Sequence, residues 1–258
     1  MNLFDATILG IIEGLTEFLP ISSTAHLILG AKVLNIAQTD FVKSFEIIIQ
    51  LGAILAVVTL YFKSFFNLDI LKKVIIGFLP TAIIGLLVYK RIKDYLGDIS
   101  IVLWALFIGG ILLIIFELYQ RKISQNKIGQ IGTGAMTIKQ CIVVGFCQCF
   151  AFIPGVSRSA STIIGGMMLG INRSTIAEYS FLLAVPTMAS ATTLDILKNK
   201  EILLNTENIQ ALVVGFLVSY AVAILAIKGF LSFIKKRDFI SFGVYRIIIA
   251  TLFFIFVI

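Results

Sequence analysis

Two short polar segments interrupt the apolar sequence of this chain, and both carry residue types that could do chemistry. The first contains two carboxylates, hydroxyl groups and the only histidine, at positions Glu13, Glu17, Ser22, Ser23 and His26. The second contains an arginine among hydroxyl groups, at positions Ser157, Arg158, Ser159 and Thr162. Ionisable side chains are costly at membrane depth and are functional candidates there. The two segments together are the candidate site.

The two carboxylates of the first segment suit either proton transfer or cation binding. Glu13 and Glu17 are four residues apart, so a helix places them on one face. Two neighbouring carboxylates do not both ionise cheaply in a medium of low dielectric constant. They share a proton, bind a cation or face a cationic partner, unless they lie hydrated at the membrane interface. Because carboxylate oxygens suit Mg²⁺ or Ca²⁺, the pair is also the candidate metal site.

The histidine extends the same segment. His26 follows Ser22 by four residues and Ser23 by three, so a helix that begins near Ser22 places the three on one face. Histidine accepts and releases a proton near pH 7. It could activate a serine or a water, or attack phosphorus itself, and the alternative is a hydrogen-bonded core residue. The candidate catalytic residues of this segment are His26, Glu17, Ser23 and Glu13.

The second segment has the features of an anion site. Arg158 follows shortly after Pro154, and Thr162 lies one helical turn further on. A helix that begins near Ser157 directs its N–H groups and its positive dipole end to this point. The planar guanidinium matches phosphate oxygens, although an arginine that reaches the headgroup layer from a helix cap is the alternative. The candidate diphosphate ligands are Arg158, Ser157, Ser159, Thr162 and Ser22.

Composition identifies the elements that must position these residues. Of 258 residues, 59% are hydrophobic and 14% are charged, whereas soluble domains have about 45–50% and about 25%. The apolar runs are continuous and do not alternate, which predicts helices and excludes a β-barrel. The net charge of +7 lies in short loops, so it indicates membrane topology and no nucleic-acid partner. The predicted fold class is an all-α integral membrane protein.

Ten apolar segments can be recognised, and two pairs of them are joined without a charged loop. The segments lie at about 3–19, 22–37, 44–62, 71–89, 100–119, 137–153, 157–171, 175–197, 208–230 and 242–258. The first two are joined at Pro20, and the sixth and seventh at Pro154. We expect each pair to be a re-entrant helix–loop–helix, because irregular backbone at depth must be buried or line a cavity.

The ten segments form two copies of the same five. Gly77-Phe78-Leu79 recurs as Gly215-Phe216-Leu217, and the Pro20 segment matches the Pro154 segment. Each copy has one re-entrant pair and three full spans. Because three crossings end on the opposite side of the membrane, the second copy should be inverted relative to the first. The two broken segments should therefore meet near the midplane. We predict one membrane domain over 1–258, with repeats at about 1–120 and 137–258 and a cytoplasmic linker at about 121–136.

The basic residues predict the orientation. Apart from Arg158, 7 Lys and Arg residues fall on the N-terminal side of the predicted membrane and 13, with Arg246 among them, fall on the other. Cytoplasmic loops carry the excess of Lys and Arg. We therefore expect a multi-pass protein with both termini and the opening of the site facing outward.

The two motifs resemble those of a known family. Glu13-Gly-Leu-Thr-Glu17-Phe-Leu-Pro-Ile-Ser-Ser-Thr-Ala-His26 and Pro154-Gly-Val-Ser-Arg-Ser-x-x-Thr162 look like the two signatures of the bacterial undecaprenyl-diphosphate phosphatases, the bacitracin-resistance family. The resemblance extends over nearly the whole chain. One departure is Ala160, where the family usually has glycine; the added methyl group removes no chemical group.

The resemblance implies hydrolysis of undecaprenyl diphosphate to undecaprenyl phosphate and phosphate. This reaction recycles the lipid carrier of cell-wall synthesis and confers bacitracin resistance. The resemblance also implies dependence on Mg²⁺ or Ca²⁺, a place in the bacterial plasma membrane among its lipids and an outward-facing site, and it leaves a homodimer open. By motif position, the functional set is Glu13, Glu17, Ser23, His26, Ser157, Arg158 and Thr162.

Two questions stay open at this point. Either Ser23 or His26 attacks the distal phosphorus while Arg158 binds the diphosphate and Glu17 holds the metal, or Glu17 or His26 activates a water. The alternative function is a polyprenyl-phosphate flippase or transporter, because broken helices that meet at the midplane are also found in transporters.

Overall fold

The computed structural model describes residues 1–95, 98–123, 135–198 and 206–256. All regular structure in these residues is helical, as the composition predicted. The ten α-helices are α1 (Leu3–Thr16), α2 (Ser23–Val33), α3 (Asp40–Leu60), α4 (Leu68–Tyr95), α5 (Ile99–Ile123), α6 (Ile138–Gln148), α7 (Arg158–Met168), α8 (Arg173–Lys198), α9 (Thr206–Ile234) and α10 (Ile240–Phe256). Each corresponds to one predicted apolar segment. Most of the predicted linker at 121–136 lies outside the described residues.

The long helices make this a multi-pass membrane protein. Five described helices are long and apolar enough to cross a membrane. These stretches are Asp40–Leu60, Leu68–Val88, Ile99–Lys122, Arg173–Leu197 and Ile209–Ile234. The sixth predicted span corresponds to α10, which has 17 described residues. Pro80 and Pro186 lie inside α4 and α8, where neighbouring helices can compensate for a missing backbone donor.

Four helices are too short to cross a bilayer alone. Helix α1 has 14 residues and α2, α6 and α7 have 11 each, which corresponds to about 17–21 Å against a hydrocarbon core of about 30 Å. Helix α1 packs against α2, and α6 packs against α7. These lengths and contacts agree with the two predicted re-entrant pairs. A 3₁₀ turn, Cys149–Phe152, continues α6 toward the second loop.

The loops of the two pairs end in the same unusual cap. Ser22 caps α2 with a φ of 70° and accepts the N–H of Ala25, and Ser157 caps α7 with a φ of 81° and accepts the N–H of Ala160. A positive φ is uncommon for serine and persists where the surroundings fix it. The capping serines are 135 residues apart, whereas Pro20 and Pro154 are 134 residues apart. The second loop therefore has one residue more between its proline and its serine, which we assign to Gly155.

Helix packing has the same order in both halves. Helix α1 packs against α9 as α6 packs against α4, and α3 packs against α9 as α8 packs against α4. The α1–α9 and α6–α4 contacts both depend on glycines, because there is no room for a Cβ. A Cβ on Gly10 would lie 2.7 Å from the Gly215 carbonyl oxygen, and a Cβ on Gly145 would lie 2.1 Å from the Gly77 carbonyl oxygen. The matched contacts agree with two related halves, and the inversion of one half stays a prediction.

One basic residue was placed wrongly from the sequence. Arg246 was counted with the cytoplasmic loop cations, but it lies inside α10 with 1% of its surface exposed. Without Arg246, the predicted orientation rests on 7 basic residues on the N-terminal side of the membrane and 12 on the other side. The excess has the same sign, so the predicted orientation does not change.

Candidate active site

The two re-entrant segments are joined by a buried ion pair. Arg158 Nη2 lies 2.8 Å from Glu17 Oε1, and the two side chains are 9% and 2% exposed. Arg158 is the first residue of α7, and Glu17 directly follows α1. The residues are 141 positions apart in the chain. The expected proximity of the carboxylate segment and the arginine segment is therefore observed.

The arginine is held by further contacts and keeps donor capacity. Arg158 Nη1 donates to the backbone oxygen of Ser180 at 2.8 Å and to its hydroxyl at 3.1 Å. Its guanidinium carbon lies 5.8 Å from the centre of the Phe18 ring, a distance typical of a cation–π contact. Arg158 Nε has no acceptor among the described residues. The guanidinium is thus fixed in direction and still has an N–H group for an anion.

The carboxylate of the pair also holds the serine of the first segment. Ser23 Oγ donates to Glu17 Oε2 at 2.5 Å, and the serine is buried. Glu17 therefore uses one oxygen for Arg158 and the other for Ser23. A hydroxyl bonded to a carboxylate that can take its proton is the arrangement of an activated nucleophile.

The other hydroxyl groups of the motifs bond to the protein. Ser159 Oγ donates to the Leu19 carbonyl at 2.7 Å and so connects the second loop to the first. Thr162 Oγ1 lies 2.6 Å from the Ser180 hydroxyl. Ser22 and Ser157 use their hydroxyl oxygens as helix caps. In the structure these hydroxyl groups therefore cap helices or connect the two segments, and direct contact with a substrate stays a prediction.

Glu13 is the residue best suited to a metal ion. It is fully buried, and neither carboxylate oxygen has a hydrogen-bond partner among the described residues. Mg²⁺ is commonly bound by one or two carboxylates together with substrate phosphates and water. Two unpartnered oxygens one helical turn from Glu17 fit that donor set. Within the described residues, no group of three or more His, Cys, Asp or Glu side chains is placed to hold a metal.

His26 has its hydrogen-bond partners outside the ion pair. Its Nδ1 lies 2.8 Å from the Ser22 carbonyl oxygen, and its Nε2 lies 2.9 Å from the hydroxyl of Tyr245. The two rings are nearly parallel, at 6°. Because a carbonyl only accepts, Nδ1 carries a proton, and in the neutral ring Nε2 accepts the Tyr245 O–H. Among the hydrogen bonds of the described residues, none joins His26 to Glu17, Ser23 or Arg158.

The ion pair opens on a cavity of about 260 Å³. Its polar wall consists of Glu17, Ser22, Ser23, Thr24, Gln50, Thr81, Gln148, Ser157, Arg158 and Thr187. Gln148 Nε2 donates to the hydroxyls of Thr81 and Thr187 at 2.8 and 3.0 Å. The cavity brings together residues of both re-entrant segments, and neither segment forms it alone.

Several residues that contact the motifs were not predicted from the sequence. Ser180, Thr81 and Thr187 belong to long helices and meet the site only in the folded chain. Tyr245 contacts His26 and lines the second, apolar cavity. The sequence marks two of them, because Thr81 and Thr187 each directly follow a proline inside a predicted span. For Ser180 and Tyr245 the sequence has no comparable signal.

A second cavity has a different character. It measures about 550 Å³ and is lined mainly by apolar residues of α9, α10 and the end of α1. It shares no lining residue with the cavity of the ion pair. Its wall has no carboxylate, histidine, lysine or arginine, so it is not a candidate for catalysis.

The arrangement suits cleavage of a phosphate ester. A fixed guanidinium stabilises negative charge on phosphate oxygens, a serine is bonded to a carboxylate, and an unpartnered carboxylate can hold a cation. All of these groups lie among helices typical of a membrane protein, so a substrate with an anionic end and a lipid end would fit both environments.

Comparison with known proteins gives a consistent result. The bacitracin resistance protein BacA family matches residues 6–252. An undecaprenyl-diphosphatase of Campylobacter hominis is 50% identical over 260 residues, which cover the whole of both chains. An undecaprenyl-diphosphatase of Wolinella succinogenes is 48% identical over 98% of this chain and 97% of its own. One of Aquifex aeolicus is 48% identical over 97% of this chain and 96% of its own.

Proposed function

This chain belongs to the bacitracin resistance protein BacA family, and we propose that it hydrolyses undecaprenyl diphosphate to undecaprenyl phosphate and inorganic phosphate. Its relatives share the name undecaprenyl-diphosphatase. The reaction returns the lipid carrier to cell-wall synthesis and removes the diphosphate form on which bacitracin acts. The observation that carries the proposal is the Arg158–Glu17–Ser23 arrangement, which places an anion ligand beside a carboxylate-bonded hydroxyl.

We propose Ser23 as the nucleophile. Its oxygen attacks the distal phosphorus as Glu17 Oε2, 2.5 Å away, takes the hydroxyl proton. The bond from this phosphorus to the bridging oxygen breaks, and undecaprenyl phosphate leaves with the bridging oxygen. The phosphoryl group is then on Ser23. Arg158 binds the phosphate oxygens and stabilises the negative charge that they carry in the transition state.

A second step regenerates the enzyme. Glu17 first gives the serine proton to the departing undecaprenyl phosphate and then accepts a proton from a water, which attacks the phosphorus of the phosphoserine. The bond between phosphorus and the Ser23 oxygen breaks, Glu17 returns the proton from the water to this oxygen, and inorganic phosphate leaves. His26 is bonded to Tyr245 and Ser22, so we assign it a supporting role on α2 and not the attack on phosphorus.

A divalent cation fits this site through Glu13. The two unpartnered oxygens of Glu13 would hold Mg²⁺ or Ca²⁺, and Glu17 is the nearest second carboxylate in the chain. When bound, such a cation neutralises charge on phosphate oxygens.

The topology supports a site that is open to the outer face of the plasma membrane. The basic residues predict outward termini, and the matched packing of the two halves supports an inverted repeat. We propose that the cavity of the ion pair opens to the side that carries fewer basic residues. The diphosphate of a lipid in the outer leaflet would then enter the polar cavity to reach Arg158, which is part of its wall.

The direct test is phosphate release from a C55 isoprenyl diphosphate by the purified protein in detergent. We expect release with Mg²⁺ that stops with a chelator and that falls by about 10³-fold or more in Arg158→Ala. Arg237→Ala, an exposed arginine beyond α9, is the matched control. No release from folded wild-type protein would contradict hydrolysis and would favour the transport alternative, which movement of the labelled lipid between vesicle leaflets would test.

A further inference from the structure

Arg246 carries the largest number of side-chain hydrogen bonds around the candidate site, although no motif contains it. It lies inside α10, and 1% of its surface is exposed. Its Nε donates to the Leu106 carbonyl at 3.3 Å, and its Nη2 donates to the Ala105 carbonyl at 3.0 Å. These two bonds anchor the guanidinium to α5.

The remaining bonds of this guanidinium reach both re-entrant loops. Nη1 donates to the carbonyl of Pro20 at 3.3 Å and to that of Val156 at 3.0 Å. Nη2 donates to the carbonyl of Gly155 at 2.9 Å. An arginine has five N–H groups, and all five are therefore used on backbone oxygens. One side chain thus connects the first loop, the second loop and α5.

The loop carbonyls that Arg246 bonds lie one or two residues before the two serines of positive φ. Pro20 is two residues before Ser22, and Gly155 and Val156 immediately precede Ser157. The serine φ values of 70° and 81° are unfavourable for a residue with a side chain. Such conformations persist when the surrounding structure fixes them. A hydrogen bond to the Val156 carbonyl fixes the peptide plane on which the φ of Ser157 depends.

The charge of Arg246 has no acidic partner in the part of the chain that the structure describes, where the ion pairs use Lys73, Arg121, Arg158 and Arg173. A buried charge is costly unless it is compensated. Gly155, whose carbonyl it holds, lines the cavity of the ion pair. The guanidinium of Arg246 is therefore bonded to a residue in the wall of the cavity that we assign to an anionic substrate.

We propose that Arg246 is a positioning residue for the hydrolysis. It fixes the two re-entrant loops relative to each other, so that Ser23 and Glu17 of the first segment meet Arg158 of the second. This inference rests on the proposed function for its kinetic readout only. The loops carry the reacting groups, so a displacement of about 1 Å is sufficient to lower the rate by about 10²-fold.

The chain offers two independent ways to disturb this contact. Arg246→Ala removes the guanidinium, and Gly109→Ala displaces it, because a Cβ on Gly109 would lie 2.1 Å from Arg246 Nη2. The matched controls are Arg237→Ala, an exposed arginine, and Gly229→Ala, where a Cβ meets no atom within 4 Å. Gly109→Ala keeps every charge of the wild type, so it tests the protein if Arg246→Ala fails to fold.

In detergent, we expect Arg246→Ala and Gly109→Ala to lower kcat by about 100-fold with KM changed by less than about 3-fold. Methylguanidine should restore kcat of Arg246→Ala by about 10-fold, since it fills the vacated position, and should leave Gly109→Ala unchanged. Wild-type kcat in either folded variant would overturn the proposal. A loss in Arg246→Ala that methylguanidine does not restore would overturn it as well.

A second readout does not depend on turnover. Spin labels at Thr24 and Ile153, in a variant whose three native cysteines are replaced, report the distance between the two re-entrant segments by electron paramagnetic resonance. We expect a narrow distance distribution with Arg246 and a broader one with Arg246→Ala. Equal distributions would overturn the positioning role. If the wild type released no phosphate, the proposed function would fail, and this measurement would still decide the role of Arg246.

Discussion

Replacing Ser23 by alanine distinguishes a nucleophile from a residue that only positions Glu17. Ser23 makes one hydrogen bond at 2.5 Å to the Glu17 carboxylate. A hydrogen bond to a charged group contributes about 1.5–3 kcal/mol. At about 1.4 kcal/mol for each tenfold change in rate, loss of this bond alone lowers kcat by about 10- to 150-fold. Loss of the attacking oxygen leaves only binding and charge stabilisation, and we expect a decrease of about 10⁴-fold or more.

The assay for this prediction is single-turnover phosphate release with enzyme in excess over substrate. Ser161→Ala is the matched control, because the Ser161 hydroxyl bonds the Ser157 carbonyl of its own helix at 2.9 Å. Thermal unfolding of each variant tests whether it is folded. In the wild type, a rapid acid quench should trap phosphate on Ser23. A decrease in kcat of less than about 150-fold in Ser23→Ala, or no phosphoserine during turnover, would refute the nucleophile role and favour direct attack by water.

Three further predictions follow from other contacts. Glu13→Gln should raise the Mg²⁺ concentration for half-maximal activity by about 10-fold or more, and an unchanged Mg²⁺ titration would contradict the assignment of Glu13. Tyr245→Phe removes one hydrogen bond to His26 and should lower kcat by about 2- to 13-fold, while Tyr220→Phe should match the wild type; equal rates in both would be evidence against a role for His26. Glu117→Gln weakens the contact of the buried Glu117 with the half-buried Arg173 and should lower Tm by a few degrees, measured by calorimetry, with kcat within about 2-fold.

The helix breaks and the meeting of the two segments could be predicted from the sequence. Pro20 and Pro154 interrupt apolar runs without a charged loop, and the serines that follow are good helix caps. The recurrence of the same order of features implied that two broken segments face each other. This reasoning placed Glu17 near Arg158, and the structure has the two in contact at 2.8 Å.

The position of His26 depended on a backbone angle that the sequence does not display. A regular helix through Ser22 would place His26 beside both serine side chains. The φ of 70° at Ser22 instead ends the helix there and turns its side chain to the N–H of Ala25. The Ser22 group that contacts His26 is then its carbonyl oxygen, at 2.8 Å. The ring consequently lies against Tyr245.

Arg246 escaped prediction for a different reason. Its partners are five backbone carbonyls on three separate parts of the chain, and every residue type has such a carbonyl. No pattern of side chains therefore marks the contact. Its position nine residues after the basic run 235–237, near the start of the last apolar segment, also made it resemble a loop cation. Tertiary contacts to the main chain are the part of this site that required the structure.

The most direct test of the account is a double-mutant cycle on Glu17 and Arg158, measured as kcat/KM for phosphate release. Because the two side chains form one buried pair at 2.8 Å, Glu17→Gln, Arg158→Gln and the double variant should all be impaired to a similar degree. The coupling energy should exceed about 2 kcal/mol. Losses that simply add in the double variant would show that the two segments act separately and would contradict a single site built from both.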